Sequence, residues 1–87
     1  MNGRALLAWN LRRLRAERGV SQEHLAVVAG IDRTYLSLIE RELGNASVDV
    51  MDRLAKCLSA ELGDFFIRPA RGTARPQPLP KGRKPKR

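Results

Sequence analysis

The sequence predicts an all-α fold, one compact domain of five short helices with a basic tail behind it. Three observations carry that prediction. Apolar residues recur with the 3.6-residue period of a helix, and no stretch alternates convincingly with the period of a strand. Each periodic segment is bounded by a helix-capping or helix-ending residue and joined to the next by a short link. The periodicity stops at residue 67, where proline and cations take over.

Leu7, Leu11 and Leu14 fall at i, i+4 and i+7, one apolar stripe on a first helix. Gly19 ends that helix, because glycine enters the left-handed conformation cheaply. Ser21, a good N-cap, opens a second helix that is expected to bury Leu25, Val28 and Ala29 and to end at Gly30. Asp32 caps a third helix reaching Arg41 or Glu42. The stretch "ELGNAS" reads as a loop with Gly44 and Asn45 as turn formers. Ser47 caps a fourth helix with Val48, Met51, Leu54, Ala55 and Leu58 on its apolar side. "ELGDFFI" predicts a short fifth helix presenting Leu62, Phe65 and Phe66.

Charge is unevenly placed. The 87 residues carry a formal net charge of +8, yet residues 1–67 hold nine Lys or Arg against all nine acids. The excess therefore lies in residues 68–87, which also hold all 5 prolines. Such a segment has too little apolar surface to offset the entropy of ordering it, so it is expected to be a disordered tail. The division is a folded domain over 1–67 and a tail over 68–87. A core of that size rarely supplies more than about 3–5 kcal/mol, so help from a second copy of the chain is expected.

Several function classes are excluded at this level. The single cysteine, Cys57, permits no internal disulfide and fits a reducing cytosol. "ALLAW" is too short for a signal peptide, and no run approaches the ~18 apolar residues of a membrane span. A cytoplasmic protein is expected. No nucleophile–base pair, metal cluster or phosphate-cradling loop can be assembled, so an enzyme is disfavoured and neither metal nor cofactor is expected. His24, the one histidine, reads as exposed or near phosphate, since zinc needs several N or S ligands. Arg12, Arg13 and Arg18 read as solvated, Cys57 as a small apolar residue, and Trp9 as packing or part of a dimer contact.

The third helix carries the functional signal. On a wheel, Leu36, Ile39 and Leu43 cluster inward, with Tyr35 and Glu40 on the borders. Thr34, Ser37, Leu38 and Arg41 cluster outward, with Arg33 at the flank. A cation, two hydroxyls and an aliphatic group suit DNA base edges. Arginine pairs bidentately with guanine, hydroxyls donate or accept, and an alkyl group meets the thymine methyl.

Residues 9–66, through "NLRRLRAERGVSQEHLAVVAGIDRTYLSLIER" and "NASVDVMDRLAKCLSAELGDFF", resemble the Cro/repressor-type (Xre-like) helix-turn-helix family. The resemblance implies a lambda-repressor-like five-helix domain whose second and third helices form the motif. It also implies that the third helix enters the major groove and that dimers meet paired half-sites. Carried over by position, Arg33, Thr34, Ser37 and Leu38 are the expected base contacts. Gln22, Tyr35, Asn45 and Ser47 are the expected backbone contacts, joined by Arg41 from the outer face. Arg15 and Glu40 match a structural ion pair between the first and third helices. Two positions depart from the pattern. Glu42 stands where the family commonly has glycine, so the third helix is expected to run longer, with Gly44 as terminator. Leu38 stands where a polar or basic residue is commoner.

The expected function is a bacterial sequence-specific double-stranded DNA-binding regulator, a repressor acting as a homodimer on an inverted repeat and associated with the nucleoid when bound. Lys81, Arg83, Lys84, Lys86 and Arg87 of the tail would add non-specific phosphate affinity. The alternatives are an antitoxin or phage-type partner-binding protein whose DNA binding is autoregulatory, and an RNA- or nucleoid-binding basic protein led by its tail. "KGRKPKR" also resembles a nuclear localisation patch.

Overall fold

The computed structural model describes residues 1–70 and builds them from four α-helices and a closing 3-10 helix, with no strand among them. The helices are α1 (Gly3–Arg18), α2 (Gln22–Ala29), α3 (Arg33–Glu40) and α4 (Val48–Cys57), followed by the 3-10 helix Leu62–Phe66. Of the expected tail, residues 71–87 lie outside the described residues, and with them Lys81, Arg83, Lys84, Lys86 and Arg87.

Every α-helix starts on a side-chain cap. Asn2, Ser21, Asp32 and Ser47 accept from the backbone N–H of Ala5, His24, Thr34 and Val50. Each such cap is worth about 1 kcal/mol over alanine. The four ends also share one closure, in which a left-handed residue turns the chain back onto the last helical carbonyls. Gly19 (φ 66°) and Gly30 (φ 69°) do so for α1 and α2. Glu42 (φ 66°) and Ser59 (φ 53°) do so for α3 and α4.

Glu42 corrects one expectation. The third helix does not lengthen: it stops at Glu40, and Glu42 itself adopts the conformation that glycine would take. The N–H groups of Glu42 and Leu43 then bond the carbonyls of Ile39 (3.1 Å) and Leu38 (2.9 Å). For a residue with a Cβ this conformation costs roughly 1–2 kcal/mol, so the closing hydrogen bonds must outweigh it. Gly44 is not the terminator. It lies flush on α3, where an added Cβ would sit 2.9 Å from the Ile39 nitrogen and 3.1 Å from the Leu38 carbonyl carbon.

The core runs through Leu7, Leu11 and Leu14 of α1, Leu25 of α2, Leu36 and Ile39 of α3, Leu54 of α4, then Leu58 and Phe65. Four residues expected inside are not there: Val28, Leu43, Val48 and Phe66 are 50%, 60%, 58% and 42% exposed. In α2, Leu25, Ala26 and Ala29 take the inward positions and turn Val28 out. Leu43 lies beyond the end of α3, where wheel geometry no longer holds. In α4, Val50 turns inward in place of Val48 at the helix start. The last element is a 3-10 helix, whose three-residue turn aligns Leu62 with Phe65 and leaves Phe66 outside.

Three arginines of α1 that were expected in water, Arg12, Arg13 and Arg18, are tied to other helices. Arg12 donates to the Glu40 carbonyl at the end of α3. Arg18 donates to the Leu58 carbonyl at the end of α4 (2.6 Å). Arg13 reaches Asn10 Oδ1 and the Asp64 carbonyl, with its guanidinium 5.9 Å from the Trp9 ring centre. Cations at helix C-terminal carbonyls satisfy acceptors that the helix leaves open.

Candidate nucleic-acid interface

Behind the candidate surface sits a buried ion pair. Arg15 (5% exposed) meets Glu40 (3% exposed) in two parallel contacts, Nε to Oε2 at 2.6 Å and Nη2 to Oε1 at 2.7 Å. Its remaining Nη1 donates to the Val20 carbonyl at 3.0 Å, just past the end of α1. The pair thus fixes α3 against α1 and the turn that leads into α2.

Glu40 has a third partner, Gln22, whose Nε2 donates to Glu40 Oε1 at 3.1 Å. A carboxylate only accepts, so this contact settles how the Gln22 amide is turned. The buried pair therefore orients the first residue of α2 as well as the axis of α3.

On the outer side of α2 and α3, Gln22, Arg33, Thr34, Ser37, Leu38 and Arg41 line one depression of about 270 Å³. The structure thus brings together all four residues expected at base edges, with Gln22 and Arg41 beside them. Arg33, Thr34 and Arg41 are exposed, and Ser37 and Leu38 are half-buried. The lining carries two arginines and no acid, a charge that suits phosphate.

Tyr35 of α3 forms a separate group with Asn45 and Ser47, which lie past the end of that helix. The Tyr35 hydroxyl donates to the Asn45 carbonyl at 2.9 Å, and its ring packs half-buried against the core. The Ser47 hydroxyl is used as the cap of α4. Asn45 and Ser47 are exposed. His24 is exposed on the first turn of α2, and no group of three His, Cys, Asp or Glu able to hold a metal occurs among the described residues.

Sequence reasoning missed Asn10. It is fully buried, and its Nδ2 faces the carbonyls of Leu6, Phe65 and Ile67 at 2.9–3.0 Å. A polar residue beside the Leu7–Leu11–Leu14 stripe was the available signal.

A helix-turn-helix family model matches residues 11–65. A hypothetical transcription factor of Neisseria meningitidis serogroup B is 38% identical over 66 residues, covering 76% of this chain and 62% of that protein. The chain therefore spans less than two thirds of that relative's length. Control protein C.SmaI of Serratia marcescens is 34% identical over 68 residues, covering 78% of this chain and 81% of that one. The solved restriction-modification controller protein C.AhdI of Aeromonas hydrophila superposes with a TM-score of 0.70 at 36% identity, covering 72% of this chain and 96% of that one.

Proposed function

The chain belongs to the helix-turn-helix family, and we propose on that premise that it is a DNA-binding transcriptional regulator acting as a homodimeric repressor. In this reading α3 lies in the major groove, with Arg33, Thr34, Ser37 and Leu38 toward base edges. Gln22, Arg41 and the backbone around Asn45 and Ser47 face phosphates. The residues of 1–67 form the reading domain, and the cations of 68–87 add sequence-independent phosphate attraction.

The observation that carries this reading is the acid-free depression on α2 and α3, which gathers the four base-reading candidates, Arg33 among them, beside Gln22 and Arg41. The described body spans 31 × 30 × 22 Å, small enough for two copies to occupy neighbouring half-sites about 34–36 Å apart, the separation of one DNA turn in this class of motif. A transcription factor and restriction-modification control proteins among the relatives support a regulator and do not favour the antitoxin alternative. No helix among the described residues is long and apolar enough to cross a membrane; a cytoplasmic place of action follows from the proposed work on DNA.

Selection from a random-sequence duplex pool tests the reading. The expected product is an inverted repeat with half-site centres about 10–10.5 bp, or a multiple of it, apart. A pool left unenriched would contradict sequence-specific binding.

A further inference from the structure

Resting on the DNA-binding reading, we propose that Tyr35 is a positioning residue. Its hydroxyl locks the loop between α3 and α4 to the recognition helix, so that base-reading side chains and phosphate-facing loop amides form one rigid body.

The first half of that loop is held by α3 itself. The Leu38 carbonyl accepts from the N–H groups of Arg41 (3.2 Å), Leu43 (2.9 Å) and Gly44 (2.9 Å). Gly44 lies so close to Ile39 that no larger residue fits without displacement. The far end is held by Ser47, whose hydroxyl caps α4. Between them the chain leaves the helix at Asn45, and there the Tyr35 hydroxyl takes its carbonyl across ten positions of sequence. The Tyr35 ring and Ala46 both pack on the core, which fixes the tether's base.

Donor arithmetic decides between positioning and direct contact. A tyrosine hydroxyl has one proton, and phosphate oxygens only accept. Tyr35 spends that proton on Asn45, so it can donate to a phosphate only by releasing the loop. Keeping the loop ordered before DNA arrives avoids losing its conformational freedom at binding. The side chain thus contributes to DNA affinity through Asn45, Ala46 and Ser47.

The test uses the full chain, the duplex it enriches from a random pool, and a shuffled duplex of the same composition. For Tyr35→Phe, affinity for both duplexes is expected to fall by the same factor, roughly fivefold for one neutral hydrogen bond. Preference stays unchanged because phosphate contacts carry no sequence information. In the free protein, amide order parameters over residues 45–47 are expected to fall from about 0.85 toward 0.6 or below. Gly44→Ala, which pushes the loop off Ile39 with the hydroxyl intact, gives a similar uniform loss, and the two changes together lose little more than the larger alone.

Unchanged order parameters, losses that multiply, a loss confined to the enriched duplex, or no loss at all would each overturn the proposal. Should the wild-type chain enrich no duplex, the DNA-binding reading falls and this inference with it. A preferred duplex together with an inert Tyr35→Phe removes this inference alone.

Discussion

Four arginines of α1 and the two arginines at the ends of α3 do opposite work. Arg12, Arg13, Arg15 and Arg18 all donate to acceptors inside the domain, three of them at or near the ends of other elements. The side chains of Arg33 and Arg41 have no hydrogen bond or ion pair among the described residues, and both residues are exposed at the depression they line. The difference teaches that one residue type holds the fold on the inner helix and stays available on the outer one. Which it does depends on the carbonyl ends that surround it.

The sharpest way to break this contrast is at Glu40. Glu40→Ala leaves Arg15 buried without its counter-charge, which costs about 3–5 kcal/mol. A domain of this size has roughly that much stability, so the variant is expected to be largely unfolded by circular dichroism. A cooperative melt near the wild-type temperature would mean that the pair is not structural.

Asn10 gives a smaller effect on the same inner side. Asn10→Ala removes the side-chain donor to the carbonyls of Leu6, Phe65 and Ile67, the Phe65 one fully buried, a loss of about 1–3 kcal/mol. Urea denaturation should show a lowered midpoint, with the DNA preference of the folded fraction intact. A shift in preference instead would move Asn10 into the reading surface.

Truncation after Ile67 has the least effect on the fold and sharpens the contrast from outside. It removes eight of the 17 cations. Each phosphate no longer neutralised should lower the slope of log affinity against log salt by about 0.9. Sequence preference should persist. An unchanged slope would exclude the tail from binding.

Local signals in the sequence were enough to place the helices, because Ser21, Asp32, Ser47, Gly19 and Gly30 act through their own or adjacent backbone. Glu42 and Ser59 were not legible as terminators, since an L-residue enters the left-handed region only when surrounding structure compels it. The outer face of α3 could be read from its wheel, as its residues share one regular element. The bond from Tyr35 to Asn45 was hidden, because it depends on how separate elements come to rest against each other. The work of Arg12, Arg13 and Arg18 was hidden for the same reason, their acceptors being carbonyls with no identity in the sequence.

The central claim is that Arg33 and Thr34 read DNA and leave the fold alone. Replacing both with alanine, and measuring affinity for the enriched and shuffled duplexes alongside the melting temperature, tests it most directly. A good bidentate base contact is worth about 1–3 kcal/mol, so preference should fall at least about fivefold. Both residues are exposed, so stability should stay within about 0.5–1 kcal/mol of wild type. Preference retained in full by a folded double variant would contradict the account.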